Sequence, residues 1–347
     1  MIKPERTIRV LIVDDSGLVR DMIRAILEPE PDIVVVGEAS DGAEGVAMVA
    51  SLKPDIVTMD IEMPVMGGLE AIERIIADHP VPILVVTALA GVRTAFAAIS
   101  KGALDVIEKP DISLENVQTL IHKIRYLSKV DVAAHLQTIG GRDKIASGSV
   151  IPVLSVPTKI GIIAIAASTG GPQAINFILS HLPASFPFPI VITQHIAEGF
   201  TQGMADWLNN GTPLTVVMAS NGSRLTPGFV YINPAEHSMR VNEQGGIILG
   251  DRDVSQIYNP SCNTLLSSVA AAYRKSAIGL IMSGMGDDGV SGMHAIKVAG
   301  GATLAQDAES SVVFGMNRVA VERGYIHKVI PLAKIPAELV QRAGVRL

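Results

Sequence analysis

The sequence has a single cysteine, Cys262, among 347 residues, and its aromatic content is only 4%. One cysteine cannot form an intrachain disulfide, which favours a reducing compartment. No apolar run reaches the roughly 20 residues that a membrane-spanning helix needs. Residues 1–9 are charged and lack the apolar centre of a secretory signal. These absences predict a cytoplasmic, soluble protein.

The charge distribution lacks any block of like sign. Lys and Arg total 28, Asp and Glu total 34, and the formal net charge is −6. Nucleic-acid binding normally needs a basic stripe, so no nucleic-acid partner is expected. With 48% hydrophobic and 18% charged residues, the composition is that of a globular protein. The length exceeds one ordinary core and predicts two domains.

Residues 1–127 alternate short apolar runs with helical stretches. Five runs are predicted strands, at residues 9–13, 33–37, 56–59, 83–86 and 104–107. Strands that are apolar throughout and alternate with helices indicate a parallel sheet covered on both faces. This pattern predicts an α/β domain with a flavodoxin-like, doubly wound fold.

Residues 128–158 are rich in glycine, serine and proline breakers and are predicted to be a linker. A second α/β domain is expected over residues 159–347. Three strongly apolar runs there each precede polar residues and then a helix: residues 160–166, 190–193 and 277–282. Residues 216–249 combine short strands and turns with a possible hairpin across residues 243–246. We therefore predict a mainly parallel sheet with an antiparallel extension.

Polar side chains follow the predicted strand ends of the first domain: Asp14, Asp15, Asp60, Thr87 and Lys109. The carboxyl ends of parallel strands meet at one edge of a sheet, so these side chains should converge. Three carboxylates would repel one another unless a cation such as Mg²⁺ binds among them. The set predicts a phosphoryl-accepting site with Asp60 as nucleophile. For Asp14 and Asp15 alone, helix capping is the simpler interpretation.

A serine in the second domain, Ser168, stands at a predicted strand-to-helix turn followed by two glycines and a proline. Unpaired N–H groups at a helix N-terminus favour an oxyanion, although Ser168 alone could simply cap the helix. His195 and Asp288 follow two other predicted strands of the same sheet, so a Ser-His-Asp triad can converge. Spacing leaves Asp287 open as the acid, and His237 is the only other histidine kept as a candidate.

The first domain resembles the receiver domain of two-component response regulators. The resemblance is carried by residues 11–16 (LIVDDS), residues 59–68 (MDIEMPVMGG), Thr87-Ala88 and Lys109-Pro110. It implies phosphorylation of Asp60 by a histidine kinase, with Mg²⁺ as cofactor, and Thr87 and Lys109 as the switch pair. It also implies a metal site formed by the carboxylates of Asp14, Asp15 and Asp60 and the backbone carbonyl of Glu62.

The second domain resembles the catalytic domain of chemotaxis protein-glutamate methylesterases. The resemblance is carried by residues 168–172 (STGGP), Gln194-His195, residues 284–289 (GMGDDG) and residues 305–315 (AQDAESSVVFG). It implies that Ser168 is the nucleophile, His195 the base and Asp288, rather than Asp287, the acid. Thr169 and Met285 match positions near the oxyanion.

The resemblance implies a phosphorylation-activated hydrolase with no cofactor for the esterase reaction. Its substrates would be glutamate methyl esters on receptor proteins, with deamidation of receptor glutamines as a related activity. Contact with membranes would be peripheral and made through those receptors.

One segment departs from the resembled pattern. The sequence has Tyr258-Asn259-Pro260-Ser261 where the methylesterases usually have His-Arg-Pro-Ser, and arginine is a strong anchor for carboxylates and amides. The departure supports an alternative, a catalytically weak response-regulator paralogue that binds a partner outside chemotaxis. Cys262, next to this segment, shows no base partner by spacing and is expected to be a semi-buried small residue.

Overall fold

The computed structural model describes residues 7–88, 91–109, 114–140, 161–252 and 258–344. The chain forms two compact units, Met1–Gln137 and Thr138–Leu347. In the predicted linker, residues 132–140 form a helix, and residues 141–158 lie outside the described part of the chain. Within the described residues, no helix combines the length and the apolar character needed to cross a membrane.

The first unit contains a five-stranded sheet in the order β2-β1-β3-β4-β5, and each described pairing is parallel. This is the flavodoxin-like strand order, as predicted. The strands are β1 Ile8–Val13, β2 Ile33–Ala39, β3 Ile56–Met59, β4 Ile83–Thr87 and β5 Asp105–Glu108. The helices are α1 Gly17–Leu27, α2 Gly42–Leu52, α3 Gly68–Asp78, α4 Val92–Ser100, α5 Leu114–Leu127 and α6 Val132–Gly140.

The second unit is built on a seven-stranded sheet in the order β14-β13-β12-β6-β7-β9-β8. Its described pairings are all parallel. The strands are β6 Ile162–Ala167, β7 Ile190–Gln194, β8 Thr215–Met218, β9 Phe229–Ile232, β12 Ala277–Ile281, β13 Ala302–Gln306 and β14 Lys328–Ile330. The helices are α7 Gly171–Ser180, α8 Thr201–Gly211, α9 Cys262–Tyr273, α10 Val290–Val298, α11 Met316–Glu322 and α12 Ile335–Arg342.

The predicted antiparallel extension is a hairpin formed by β10 His237–Val241 and β11 Ile247–Asp251. The hairpin forms a separate two-stranded sheet and pairs Val241 with Ile247 next to the turn. Its turn falls where residues 243–246 predicted one. The α/β class expected from the sequence is therefore confirmed for both units.

The core of the second unit places two segments of the candidate site side by side. Strands β6, β7 and β12 are buried along their whole length. Helices α9 and α10 pack against each other, and both contribute residues to the same apolar core as these strands. The start of α9 therefore lies close to the loop that leads into α10. That loop carries Asp288.

Candidate active site and phosphoacceptor site

The structure brings Ser168, His195 and Asp288 together at one edge of the second sheet. Ser168 directly follows β6, and His195 directly follows the neighbouring strand β7. The backbone N–H of His195 donates to the carbonyl of Ala167 at 3.0 Å, and that of Ser168 donates to the carbonyl of Ser283 at 3.0 Å. Backbone pairing between β7, β6 and β12 therefore continues past the strand ends, and it holds together the segments that follow these three strands.

The imidazole of His195 faces the acid through Nε2, which lies 2.8 Å from Oδ2 of Asp288. Because an ionised carboxylate only accepts hydrogen bonds, Nε2 carries the proton and Nδ1 keeps a free lone pair. In the Ser-His-Asp template the two ring nitrogens have the opposite assignment. Nδ1 is thus the ring nitrogen left for Ser168. Among the described contacts, no hydrogen bond joins the Ser168 hydroxyl to this ring, as is common without substrate.

Asp288, and not Asp287, contacts the histidine. Asp288 is buried, whereas Asp287 is exposed. The Asp288 carboxylate also accepts hydrogen bonds from the N-terminus of α9: from the backbone N–H groups of Cys262 (2.6 Å) and Asn263 (3.0 Å) and from the hydroxyl of Ser261 (3.2 Å). A further bond comes from the backbone N–H of Gly289, the residue after Asp288 (3.0 Å).

These contacts decide the charge of Asp288. Burial alone would raise its pKa. The hydrogen bond from His195, the charge of that ring and the backbone N–H groups of Asn263 and Cys262 outweigh burial, so the pKa of Asp288 lies below its ordinary value. Asp288 is therefore a buried but ionised group that can orient the imidazole and stabilise its protonated form.

Ser168 is buried and held through its backbone. The side-chain amide of Gln194 donates to the carbonyl of Ser168 at 2.8 Å. A Cβ atom on Gly284 would lie 2.6 Å from Cβ of Ser168 and 2.4 Å from the sulfur of Met316. Only glycine at position 284 leaves this space, so the loop after β12 can pass directly beside the serine.

The two residues predicted near the oxyanion lie in the segments that flank Ser168. Thr169 is buried, and its carbonyl accepts a 2.7 Å hydrogen bond from the hydroxyl of Ser283. Met285 is partly exposed in the loop before Asp288. Their role at the oxyanion remains a prediction.

Two further residues contact His195, and spacing alone indicated neither contact. The ring of Tyr258 stacks on the imidazole, with centroids 5.4 Å apart. Sγ of Cys262 lies 3.6 Å from Nε2 of His195, and Cys262 is fully buried. The expectation of a semi-buried cysteine without a base nearby is therefore wrong, because packing of α9 against the sheet brings them together. Burial raises the pKa of the Cys262 thiol, with a smaller contribution from Asp288, which keeps the thiol neutral.

His237, the other candidate histidine, stands at the exposed start of β10. The structure shows no contact between its side chain and the described residues of the triad. Its place is explained by the hairpin, where it pairs with Asp251.

In the first unit, the carboxylates of Asp14 and Asp60 are buried at the ends of β1 and β3. Nζ of Lys109 lies 2.8 Å from Asp14 Oδ2 and 2.9 Å from Asp60 Oδ2. Burial raises the pKa of Asp14, whereas the two carboxylates raise the pKa of Lys109 despite its own partial burial. Thr87 is buried at the end of β4, as predicted.

These residues fit a hard divalent cation. Carboxylate oxygens of Asp14, Asp15 and Asp60 lie within 4.8 Å of one another. Oδ2 of Asp14 is buried and makes no hydrogen bond of good geometry, although Lys109 lies beside it. A buried carboxylate oxygen of this kind is a suitable ligand for Mg²⁺. Glu62 lies two positions after Asp60 on an exposed part of the loop, and the role of its carbonyl remains a prediction.

Comparison with known families matches both units. A family model described as CheB methylesterase matches residues 163–339, and one described as a response regulator receiver domain matches residues 10–122. Fold and matches together define a response regulator with a methylesterase-type second domain. The chain belongs to the CheB methylesterase family, in the form that carries an N-terminal receiver domain.

Relatives match over nearly the whole length. A protein-glutamate methylesterase/protein-glutamine glutaminase of Paramagnetospirillum magneticum is 48% identical, over 97% of this chain and 96% of the relative. One from Thermotoga maritima is 39% identical, over 97% of this chain and 99% of the relative. The crystal structure of the Thermotoga maritima CheB methylesterase catalytic domain is 38% identical, covers 53% of this chain and 98% of that chain, and gives a TM-score of 0.51.

Proposed function

We propose that the protein hydrolyses methyl esters of glutamate side chains on chemoreceptors, and that phosphorylation of Asp60 raises this activity. The observation that carries the proposal is the 2.8 Å hydrogen bond between His195 Nε2 and Asp288 Oδ2, at a sheet edge where Ser168 directly follows the adjoining strand. The relatives named as methylesterase/glutaminase support the choice of substrate.

The arrangement of the three side chains supports the following steps. Ser168 Oγ attacks the ester carbonyl carbon while Nδ1 of His195 takes the hydroxyl proton. The protonated ring stays paired with Asp288 through Nε2, and its Nδ1 proton passes to the departing methoxide, which leaves as methanol. Water then attacks the acyl-serine with His195 as base, which frees glutamate and restores Ser168. With a glutamine side chain the same steps release ammonia.

Control by the receiver rests on the phosphoacceptor site. Phosphorylation adds charge at Asp60, next to Lys109 and near Thr87. The residues present can hold Mg²⁺, which would offset charge on the transferring phosphoryl group. A histidine kinase is the proposed donor. Rearrangement of Thr87 and Lys109 around the phosphoryl group then biases the receiver toward the state that permits catalysis.

The alternative of a catalytically weak, partner-binding paralogue rested on the missing arginine at Asn259. The relatives described above are named as enzymes, which supports the main proposal over this alternative. The hydrogen bond between the buried, ionised Asp288 and His195 also supports catalysis over binding alone.

Methanol release from methylated receptor membranes tests the proposal. The wild-type chain should release methanol, and Ser168→Ala should reduce the rate to that of membranes alone. Ser180→Ala is a matched control, because Ser180 ends α7 with an exposed side chain that hydrogen-bonds Phe177 and His181 at its own helix end. A Ser168→Ala protein that releases methanol at the wild-type rate would contradict the proposed function.

A further inference from the structure

Tyr258 covers one face of the His195 imidazole. The two ring planes differ by only 4°, with centroids 5.4 Å apart, so the rings are parallel and offset. Offset stacking of this kind is a favourable arrangement for aromatic pairs. Rotation of the imidazole about its bond to Cβ would break the parallel arrangement and would also carry Nε2 away from Asp288.

The hydroxyl end of Tyr258 contacts the loop that carries Asp288. A Cβ atom on Gly286 would lie 2.3 Å from the Tyr258 hydroxyl oxygen, and Gly286 has φ +82°, a conformation that favours glycine. The backbone of Asp287 also hydrogen-bonds this hydroxyl. One tyrosine therefore contacts the candidate base with its ring and the loop of the candidate acid with its hydroxyl.

The charge state of Tyr258 suits this place. Burial raises the pKa of its phenol, and the nearby carboxylate of Asp287 acts in the same direction. The side chain is therefore a neutral phenol near Asp288 and adds no negative charge beside it. A neutral ring can hold the imidazole plane without competing with Asp288 for the Nε2 proton.

We propose that Tyr258 is a positioning residue that holds the His195 ring in the plane in which Nε2 meets Asp288 and Nδ1 is free for Ser168. The inference rests on the proposed function only in taking His195 as the base for Ser168. This proposal also gives a role to residues 258–261, the segment that departs from the family pattern. Its last residue, Ser261, donates a hydrogen bond from its hydroxyl to Asp288. At position 258, where the methylesterases usually have histidine, the tyrosine thus supports the triad by stacking on the His195 ring.

Three variants separate the parts of the side chain. Tyr258→Phe keeps the ring and removes the hydroxyl, whereas Tyr258→Leu and Tyr258→Met remove the ring and keep an apolar side chain. Two non-aromatic variants are used so that one folding failure does not end the test, and thermal unfolding checks each protein. Tyr126→Leu is the control, because Tyr126 is an exposed tyrosine of the first unit.

Two rates are measured on the full chain of each variant. Covalent labelling of Ser168 by a small fluorophosphonate reports activation of the serine without any receptor. Methanol release from methylated receptors gives kcat and KM. If the wild type were labelled but released no methanol, the proposed substrate would be wrong, while the labelling rates would still test the role of Tyr258.

Loss of the ring should lower both the labelling rate and kcat by about threefold to tenfold, the range expected for an aromatic pair. KM should change less than kcat, because the loss acts on the reacting groups. Tyr258→Phe should stay within about twofold of wild type in both rates, since it keeps the stacked ring. The inference fails if the non-aromatic variants label at the wild-type rate, if only KM changes, or if Tyr258→Phe loses as much as Tyr258→Leu.

Discussion

The carboxylate of Asp288 accepts a 2.6 Å hydrogen bond from the backbone N–H of Cys262, the first residue of helix α9. The acid of the candidate triad is thus bound at a helix N-terminus, where unpaired N–H groups and the helix dipole favour negative charge. Asp288 keeps its charge although it is buried. The helix holds the acid, and the acid in turn orients the histidine.

Asp288→Asn should lower kcat for methanol release by up to about 10⁴-fold, as removal of the acid does in the Ser-His-Asp template. An amide can donate to the imidazole and so favours the tautomer with the proton on the wrong nitrogen. Asp287→Asn is the matched control, because Asp287 is the exposed neighbour, and its kcat should stay near the wild-type value. Equal losses in the two variants would show that the loop, and not this carboxylate, matters.

The stability contributed by Asp288 should depend on pH with a definite sign. Its pKa is lowered in the folded chain from an unfolded value near 3.8, so the folded state binds fewer protons than the unfolded state. The contribution is therefore present above that unfolded value and is lost as the pH falls through the lower, folded one. Urea unfolding of wild type and Asp288→Asn should show a difference in unfolding free energy that shrinks as the pH falls below the unfolded value of 3.8. A difference that grows in acid would contradict the assigned direction.

Gly284→Ala should impair the enzyme through the position of Ser168. The added methyl group would lie 2.6 Å from Cβ of Ser168, and such overpacking costs about 1–3 kcal/mol. We expect a lower melting temperature and a lower kcat. Gly250→Ala serves as control, since its nearest neighbour would lie at an ordinary 3.6 Å. If the two variants behave alike, the close approach at Gly284 has no consequence for the site.

Asp60→Asn should abolish stimulation by a small phosphodonor such as acetyl phosphate. The wild-type chain should release methanol faster with the phosphodonor and Mg²⁺, and chelation of Mg²⁺ should remove the increase. Asp21→Asn, which changes an exposed carboxylate of α1, should keep the full response. If acetyl phosphate still stimulated methanol release by Asp60→Asn, the phosphorylated residue would not be Asp60.

Much of the receiver fold follows from local pattern. The predicted strand at residues 56–59 coincides with β3, and the strand predicted at residues 83–86 lies within β4. A strand buried on both faces leaves a continuous apolar run in the sequence, and a polar residue marks where it ends. The positions of Asp60 and Lys109 at the sheet edge could be predicted for that reason.

The candidate triad could be predicted only in part. Strand ends indicated that Ser168, His195 and Asp288 would meet, because neighbouring parallel strands end at one edge. The ring nitrogen that faces Asp288 depends on side-chain rotation, which leaves no pattern in the sequence. The contacts of Cys262 and Tyr258 with His195 depend on how α9 packs against the sheet, far along the chain from β7.

The pairing of β12 with β6 has a consequence for the order of folding. Ala277 pairs with Ile162, so the two strands meet only after a long intervening segment has been closed into a loop. Contacts between such distant segments are costly in chain entropy and slow the folding of the domains that depend on them. A refolding intermediate with β6 paired to β7 but without β12 would hold Ser168 and His195 and lack Asp288. Esterase activity should therefore recover only when β12 pairs with β6 during refolding. This recovery should come later than that of the helical circular dichroism signal.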